Sequence, residues 1–411
     1  MKRFLLSNQE LISFYLLIAF LISLPVKENF NSLSMILLSV FAFLLILFKQ
    51  KINSSLLKKF IPLFVFYGVL LISVIYSSDT ANAMKMVSRW LPFILLPFVF
   101  SIIKLPAKRY HQLMKLFVYW MAILCVYSHV VILIKLYNNN DVLYNIFNSH
   151  YSYLSLSKGT IGLHSTYYAY FIIVAVVFLV NFLFTEKRRS MKILSFILIG
   201  YFSFFVFHLS ARLPIAVLFV FYNLALLYYF TKQKQILKGV LFLVLLYFIS
   251  SLVIYNVRIT RYRFQHLFGF TYSDGTHHED GRDKILQWKS ALAGNNNAFF
   301  GNGAGDANES IFDSYEAHDL DKYSEREYNA HNQFIQTYVG MGLVGVAVLL
   351  FIFFFYFKAF YKEASFVGYS LILLTFILYQ TESYLERHNG VVMFVFLICF
   401  LMKKQETTSI E

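Results

Sequence analysis

Apolar runs about as long as a membrane-spanning helix recur along this chain, and they limit what it can fold into more than any other feature. A spanning helix needs about 20 mostly apolar residues. Twelve such runs lie near 10–26, 33–48, 60–76, 89–103, 115–135, 165–185, 192–209, 212–231, 238–256, 333–357, 364–381 and 390–402. In hydrocarbon each backbone N–H and C=O must find its partner inside the protein, which selects helices for segments of this length. Charged residues make up 14% of the chain and hydrophobic ones 58%, whereas soluble domains carry about 25% charged residues. The expected fold is therefore an all-α polytopic membrane protein of about 12 transmembrane helices. We read residues 1–411 as a single transmembrane domain, with a large, partly helical extracytoplasmic loop, 257–332, set between helices nine and ten. The first run follows Lys2 and Arg3 and ends at Pro25-Val26-Lys27 with no small-x-small cleavage pattern, so it reads as a retained helix. Cys125 and Cys399 both fall in apolar runs and are expected to be buried thiols outside any disulfide framework.

The net charge of +14 would suggest nucleic acid in a soluble protein, but here it must first be mapped onto loops. Lys and Arg near helix ends stay on the cytoplasmic side. With the N-terminus inside, the inner segments hold 21 of the 36 Lys and Arg residues, the interval 257–332 holds 8, and the remaining outer positions hold 7. Both termini are thus expected in the cytoplasm, and the basic excess is a topology signal that excludes a nucleic-acid partner. The interval 257–332 is itself acidic, with 12 Asp and Glu. A duplicated transporter would place its main break after helix six on the cytoplasmic side; this break follows helix nine and faces outward. A lesser outer segment, 137–164, is rich in Asn, Tyr and Ser.

Three residues stand out for chemistry. Arg212, in HLSARLPIAV at 208–217, lies between two apolar runs. An arginine at membrane depth costs several kcal/mol and is usually kept for a partner or ligand, although a snorkelling arginine at the headgroup level has the same sequence. Its planar, permanently charged fork suits phosphate. Arg282 opens a short helix, 282–292, with Asp280 as N-cap and Ile285, Leu286, Ala291 and Leu292 as the expected apolar face. There it adds charge to free N–H groups and a positive helix end, a setting for an anion; pairing with Asp280 or Asp283 is the plainer alternative. His331 occupies the last polar position before helix ten. A neutral imidazole can take a proton from a hydroxyl near pH 7, or the residue can simply enter the helix with Asn332 as its N-cap.

Other patterns carry less. Trp288 reads as a packing or interfacial anchor more than as a sugar platform. Asp319-Leu320-Asp321 is a weak metal signature. Gly340-Met341-Gly342-Leu343-Val344-Gly345 spells a dinucleotide fingerprint without the strand it requires, so close helix packing is expected instead. Gly301-Asn302-Gly303-Ala304-Gly305 reads as a turn, with an anion cradle as the alternative. His266, His277, His278 and His318 read as ordinary loop residues.

In this order and topology the motifs resemble the O-antigen ligase and O-antigen polymerase superfamily of bacterial envelope glycosyltransferases. The resemblance rests on Ser210-Ala211-Arg212, on Gly281-Arg282 followed by Trp288, on the glycines from Gly301 to Gly305, and on His331-Asn332-Gln333-Phe334 leading to Gly340, Gly342 and Gly345; it is best over 205–390. It implies a metal-independent, inverting transfer of a glycan from a polyprenyl diphosphate carrier to an acceptor hydroxyl, with no cofactor, at the outer face of the inner membrane. Arg212 and Arg282 would hold the diphosphate and His331 would orient or deprotonate the acceptor. Trp288, Gly303 and Asn332 would join them in binding substrate. His164, in LHSTYYAYF, also matches related sequences and receives no role. A single dominant outer loop favours a ligase acting on lipid A-core over a polymerase of the same superfamily; a lipid-linked glycan transporter is the alternative from another class.

Overall fold

The structure, a computed structural model, describes residues 2–148, 150–256 and 281–410. Its principal helices are α1 (Gln9–Ser23), α2 (Glu28–Leu47), α3 (Ile61–Ile75), α4 (Thr80–Arg89), α5 (Pro92–Ile102), α6 (Ala107–Asn138), α7 (Ser165–Thr185), α8 (Arg189–Leu209), α9 (Arg212–Lys232), α10 (Ile236–Asn256), α11 (Gly281–Ala293), α12 (Ala307–Glu316), α13 (Gln333–Lys362), α14 (Phe366–Leu378) and α15 (His388–Ile410). Each of the twelve apolar runs falls in a helix. By length and composition, seven of the described spans could cross a membrane: the continuous stretch Thr80–Ile102 and the helices α2, α6, α7, α8, α9 and α13. No strand occurs among the described residues. The expected Asp280 cap and His266, His277 and His278 lie outside the described residues.

Packing divides the chain into two units, Met1–Leu113 with Ile285–Glu411, and Met114–Lys284. In the first, α13 packs on α3 and α14, and α15 on α5. The last apolar run is buried throughout from Val391 to Met402, with Cys399 among its side chains. A run apolar on every side is expected to be buried all round. The second unit contains α7, which follows the same rule: every residue from Tyr167 to Val180 is buried. It packs on α8 and α9. Cys125 is buried and unbridged.

Two sequence expectations are corrected. The glycines of α13 do not admit another membrane helix. The helix breaks at Gly342 (φ 62, ψ −163), a conformation open essentially to glycine alone. A break inside an apolar helix frees backbone groups that must be paired again. Here the 298–303 loop does so: the N–H groups of Asn302 and Gly303 donate to the Val339 and Gly340 carbonyls at 2.8 and 3.1 Å, and those of Leu343 and Val344 donate to Ala298 and Phe299 at 2.8 and 3.2 Å. The second correction concerns α11. Ile285, Leu286 and Leu292 are exposed, and the buried face consists of Gln287, Ser290 and Ala291. Small polar side chains let the backbones come close. Ser290 and Ser314 each donate a hydroxyl to the other's carbonyl at 2.7 Å, which fixes α11 on α12 without an apolar stripe.

Candidate active site

His331 lies just before α13, at the end of a polar segment with a core of its own. That core gathers Ala291, Ala307, Ile311, Tyr315, Tyr323, Ala330 and Val339. Asn332 is the N-cap of α13, its Oδ1 accepting from the Phe334 and Ile335 N–H groups at 2.9 and 3.2 Å. Such a cap satisfies two of the four orphan donors of a helix start. Its oxygen is therefore committed to the backbone. To enter the cap the chain turns through His331 in the left-handed region, φ 45, a backbone conformation that costs a residue other than glycine about 1–3 kcal/mol.

The turn is held from several sides. The His331 N–H donates to Asn329 Oδ1 at 2.9 Å. The Asn329 carbonyl accepts from Gln287 Nε2 and the Tyr315 hydroxyl, both at 3.2 Å. The imidazole lies edge-on to Tyr328, ring centroids 5.4 Å apart. Its Nδ1 is 3.6 Å from Glu382 Oε2, with 23% of the histidine side chain and 10% of the glutamate exposed. At 3.6 Å the contact is too long for a hydrogen bond, and it becomes an ion pair only when the imidazole takes a proton. A carboxylate at Nδ1 leaves Nε2 as the nitrogen able to take a proton and stabilises the imidazolium that results. Glu382 was not singled out in the sequence: it sits 51 positions beyond His331, in TESYLER between two apolar runs, and only the fold supplies the pairing.

The segment carrying Glu382 is bound to the start of α13 by Gln333. Its N–H donates to the Tyr379 carbonyl at 2.8 Å, its Oε1 accepts the Leu385 N–H at 2.7 Å, and its Nε2 donates to Thr337 Oγ1 at 3.2 Å. Trp90 Nε1 donates to the Leu385 carbonyl at 2.9 Å. A narrow crevice lies here, with Trp90, Gln333, Gln336, Thr337, Met341 and Glu386 in its wall. Burial pushes the Glu386 carboxyl above its ordinary value, opposed by the Arg89 charge and by a hydrogen bond from Asn308.

The glycine-rich loop is a docking turn. Gly303 (φ 105) lies against Ser77, where a Cβ would collide with the serine. The Gly305 N–H donates to Ser77 Oγ at 3.1 Å, and the Asp306 carboxylate accepts the Ser78 and Asp79 N–H groups at 2.7 and 2.6 Å. The amides of Gly301, Asn302, Gly303 and Gly305 are all bonded within the protein. Trp288 is half-buried, and its Nε1 has no hydrogen-bond acceptor among the described residues. His318 Nδ1 is 2.7 Å from the Ser314 carbonyl. Among the described residues no group of three or more His, Cys, Asp and Glu side chains converges.

Arg212 belongs to the second unit, at the first position of α9 and half-buried. Ser210 ends α8 in the left-handed region (φ 53), and Pro214 falls in the first turn of α9, where its missing N–H leaves no gap. One turn before the arginine, His208 Nε2 donates to the Ile146 carbonyl at 2.9 Å, and its Nδ1 lies 3.1 Å from His129 Nε2. His164 precedes α7, with Nδ1 2.9 Å from Thr166 Oγ1. Arg282 lies in the first turn of α11 as expected; its side chain falls outside the described atoms. His331, Asn332, Gly303 and Trp288 thus share one unit, and Arg212 belongs to the other.

These features define an integral membrane protein with a polar helical segment set before a broken apolar helix, and a histidine–carboxylate pair at their junction. Residues 198–350 match the family model for O-antigen ligase. The match spans Arg212, Arg282, the glycine-rich loop and His331, and it supports a likeness to the O-antigen ligases and polymerases of surface polysaccharide synthesis. No curated protein matches the chain.

Proposed function

We propose that this protein is an O-antigen ligase-like glycosyltransferase, moving a glycan from a polyprenyl diphosphate carrier to a hydroxyl of lipid A-core at the outer face of the inner membrane. The observation that carries the reading is His331, held in a left-handed turn 3.6 Å from the Glu382 carboxylate within the stretch matching O-antigen ligase. In the reaction, His331 Nε2 takes the acceptor O–H proton as that oxygen attacks the anomeric carbon. The bond from this carbon to the carrier phosphate breaks, the diphosphate leaves with the electron pair, and the configuration inverts. Glu382 stabilises the imidazolium. Arg212 and Arg282 bind the departing diphosphate, where fixed positive charge in a partly dry site supplies the stabilisation that a metal supplies elsewhere. Trp288 is placed with the bound substrate, whereas Gly303, its amide bonded to Gly340 and its backbone against Ser77, serves the fold.

The test is transfer by purified protein given lipid-linked donor and lipid A-core. Release of polyprenyl diphosphate together with glycan on the core is expected, and it should persist in chelator. Translocation without release would instead identify a transporter. Strict magnesium or manganese dependence would move the assignment to Asp319 and Asp321. Deletion of the gene should leave bare lipid A-core with long polymer stranded on the carrier. Core bearing a single repeat would identify a polymerase.

A further inference from the structure

A chain of polar side chains with one consistent direction leads from Arg89, in α4, to the backbone turn that presents His331. Arg89 Nη1 lies 3.5 Å from Glu386 Oε2. The Asn308 amide lies close enough to the Glu386 carboxyl to favour its charged form. Gln336 Nε2 donates to Asn308 Oδ1 at 2.7 Å, and Gln336 Oε1 accepts the Ala330 N–H at 3.1 Å. A backbone N–H can only donate, so it fixes the orientation of the Gln336 amide. That orientation in turn requires Asn308 to present its oxygen to Gln336 and its NH₂ to position 386. Only an acceptor fits there, a carboxyl oxygen of Glu386 with the Arg89 charge beside it. The links join α4, the 384–386 turn, α12 and α13, all in one unit. Arg89 and Glu386 lie outside the 198–350 family match.

We propose that Arg89 and Glu386 are positioning residues for transfer, acting through Asn308 and Gln336 to hold the Ala330–His331 backbone in its left-handed turn. The strained turn needs such a hold, because φ 45 at a histidine persists only when its surroundings impose it. The inference rests on His331 as the acceptor-activating group. A displacement of about 1 Å in a reacting group costs on the order of 100-fold in rate, so the relay acts on kcat and leaves donor affinity alone.

The experiment exploits the direction of the chain. Asn308→Asp places two carboxylates face to face, and Glu386→Gln turns an amide NH₂ either toward Asn308 or toward Arg89. Each should lower kcat by on the order of 10- to 100-fold, with KM for the lipid-linked donor unchanged and the thermal midpoint in detergent not lowered. The double variant Asn308→Asp/Glu386→Gln moves the carboxylate one link along and restores every donor–acceptor pair, so it should recover most of the lost kcat. Arg89→Lys should keep much of the activity that Arg89→Gln loses, since a single 3.5 Å contact asks only for a positive charge. A double variant no better than Asn308→Asp, or single variants with wild-type kcat beside an inactive His331→Ala, would overturn the relay alone. Transfer surviving in His331→Ala would instead remove the reading of the site on which the relay depends.

Discussion

At His331 the backbone and the side chain make opposite demands. The left-handed turn costs about 1–3 kcal/mol at any residue other than glycine, and the imidazole is what the proposed transfer uses. His331→Gly should therefore hold or raise the thermal midpoint of the purified protein while abolishing transfer; a drop in the midpoint would show that the ring, with Tyr328 and Glu382 around it, stabilises more than the turn costs. Glu386 carries a related conflict. Burial raises its folded-state carboxyl above the ordinary value of 4.5, so the folded state binds its proton more tightly than the unfolded state does. Its contribution favours folding below that value and is lost as pH rises through the raised one. At neutral pH the buried carboxylate is a cost, and Glu386→Gln should flatten the decline in stability as pH rises above 4.5, as followed by thermal melts across pH. At Arg212 and Arg282, Ala should abolish transfer with normal accumulation in the membrane, and Lys should not restore it fully, because a point charge cannot reproduce the guanidinium fork. Arg212 and His331 stand out in the sequence because each is a polar residue at an apolar boundary, and Arg282 because it opens a short helix inside the long polar interval. Glu382 was not, because its meaning depends on a partner that only folding brings near.

Among the elements, the broken helix α13 and the 298–303 loop form one device that appears in the sequence as two unrelated glycine patterns. Each pattern alone suggests something else, a helix-packing face or a turn. Their complementarity lies in backbone hydrogen bonds between them, which leave no residue signature beyond glycine itself. Gly342→Ala would force a Cβ onto the Phe299 carbonyl at a φ that alanine rarely adopts. It should reduce accumulation in the membrane and lower the thermal midpoint. Gly200→Ala is the control: within α8, with nothing near its Cβ, it should be neutral or stabilise by about 0.5–1 kcal/mol. The buried face of α11 was misread for a related reason. Hydrophobic periodicity identifies faces that pack by burial, whereas Ser290 and Ser314 pack by exchanging hydrogen bonds over small side chains.

For the molecule as a whole, the apolar runs located every long helix, including α1, α3 and α14, which at 15, 15 and 13 residues are short for a membrane span. The amphipathic α4 was missed because its ten residues carry no long apolar run. Helices this short need not match the bilayer unaided when their ends continue into packed turns, as α3 does through Ser77 to the glycine-rich loop. Orientation follows from charge, since the lysines and arginines concentrate at alternate helix ends. A reporter fused after Lys404 should therefore report the cytoplasm, and one inserted near Asn296, an exposed position between α11 and α12, should report the other side. The second result decides more than topology. A lipid-linked glycan that has already crossed the membrane can meet His331 only if the polar segment faces outward, so a cytoplasmic signal at Asn296 would exclude outer-face transfer and the roles assigned to His331, Glu382 and Arg89 with it.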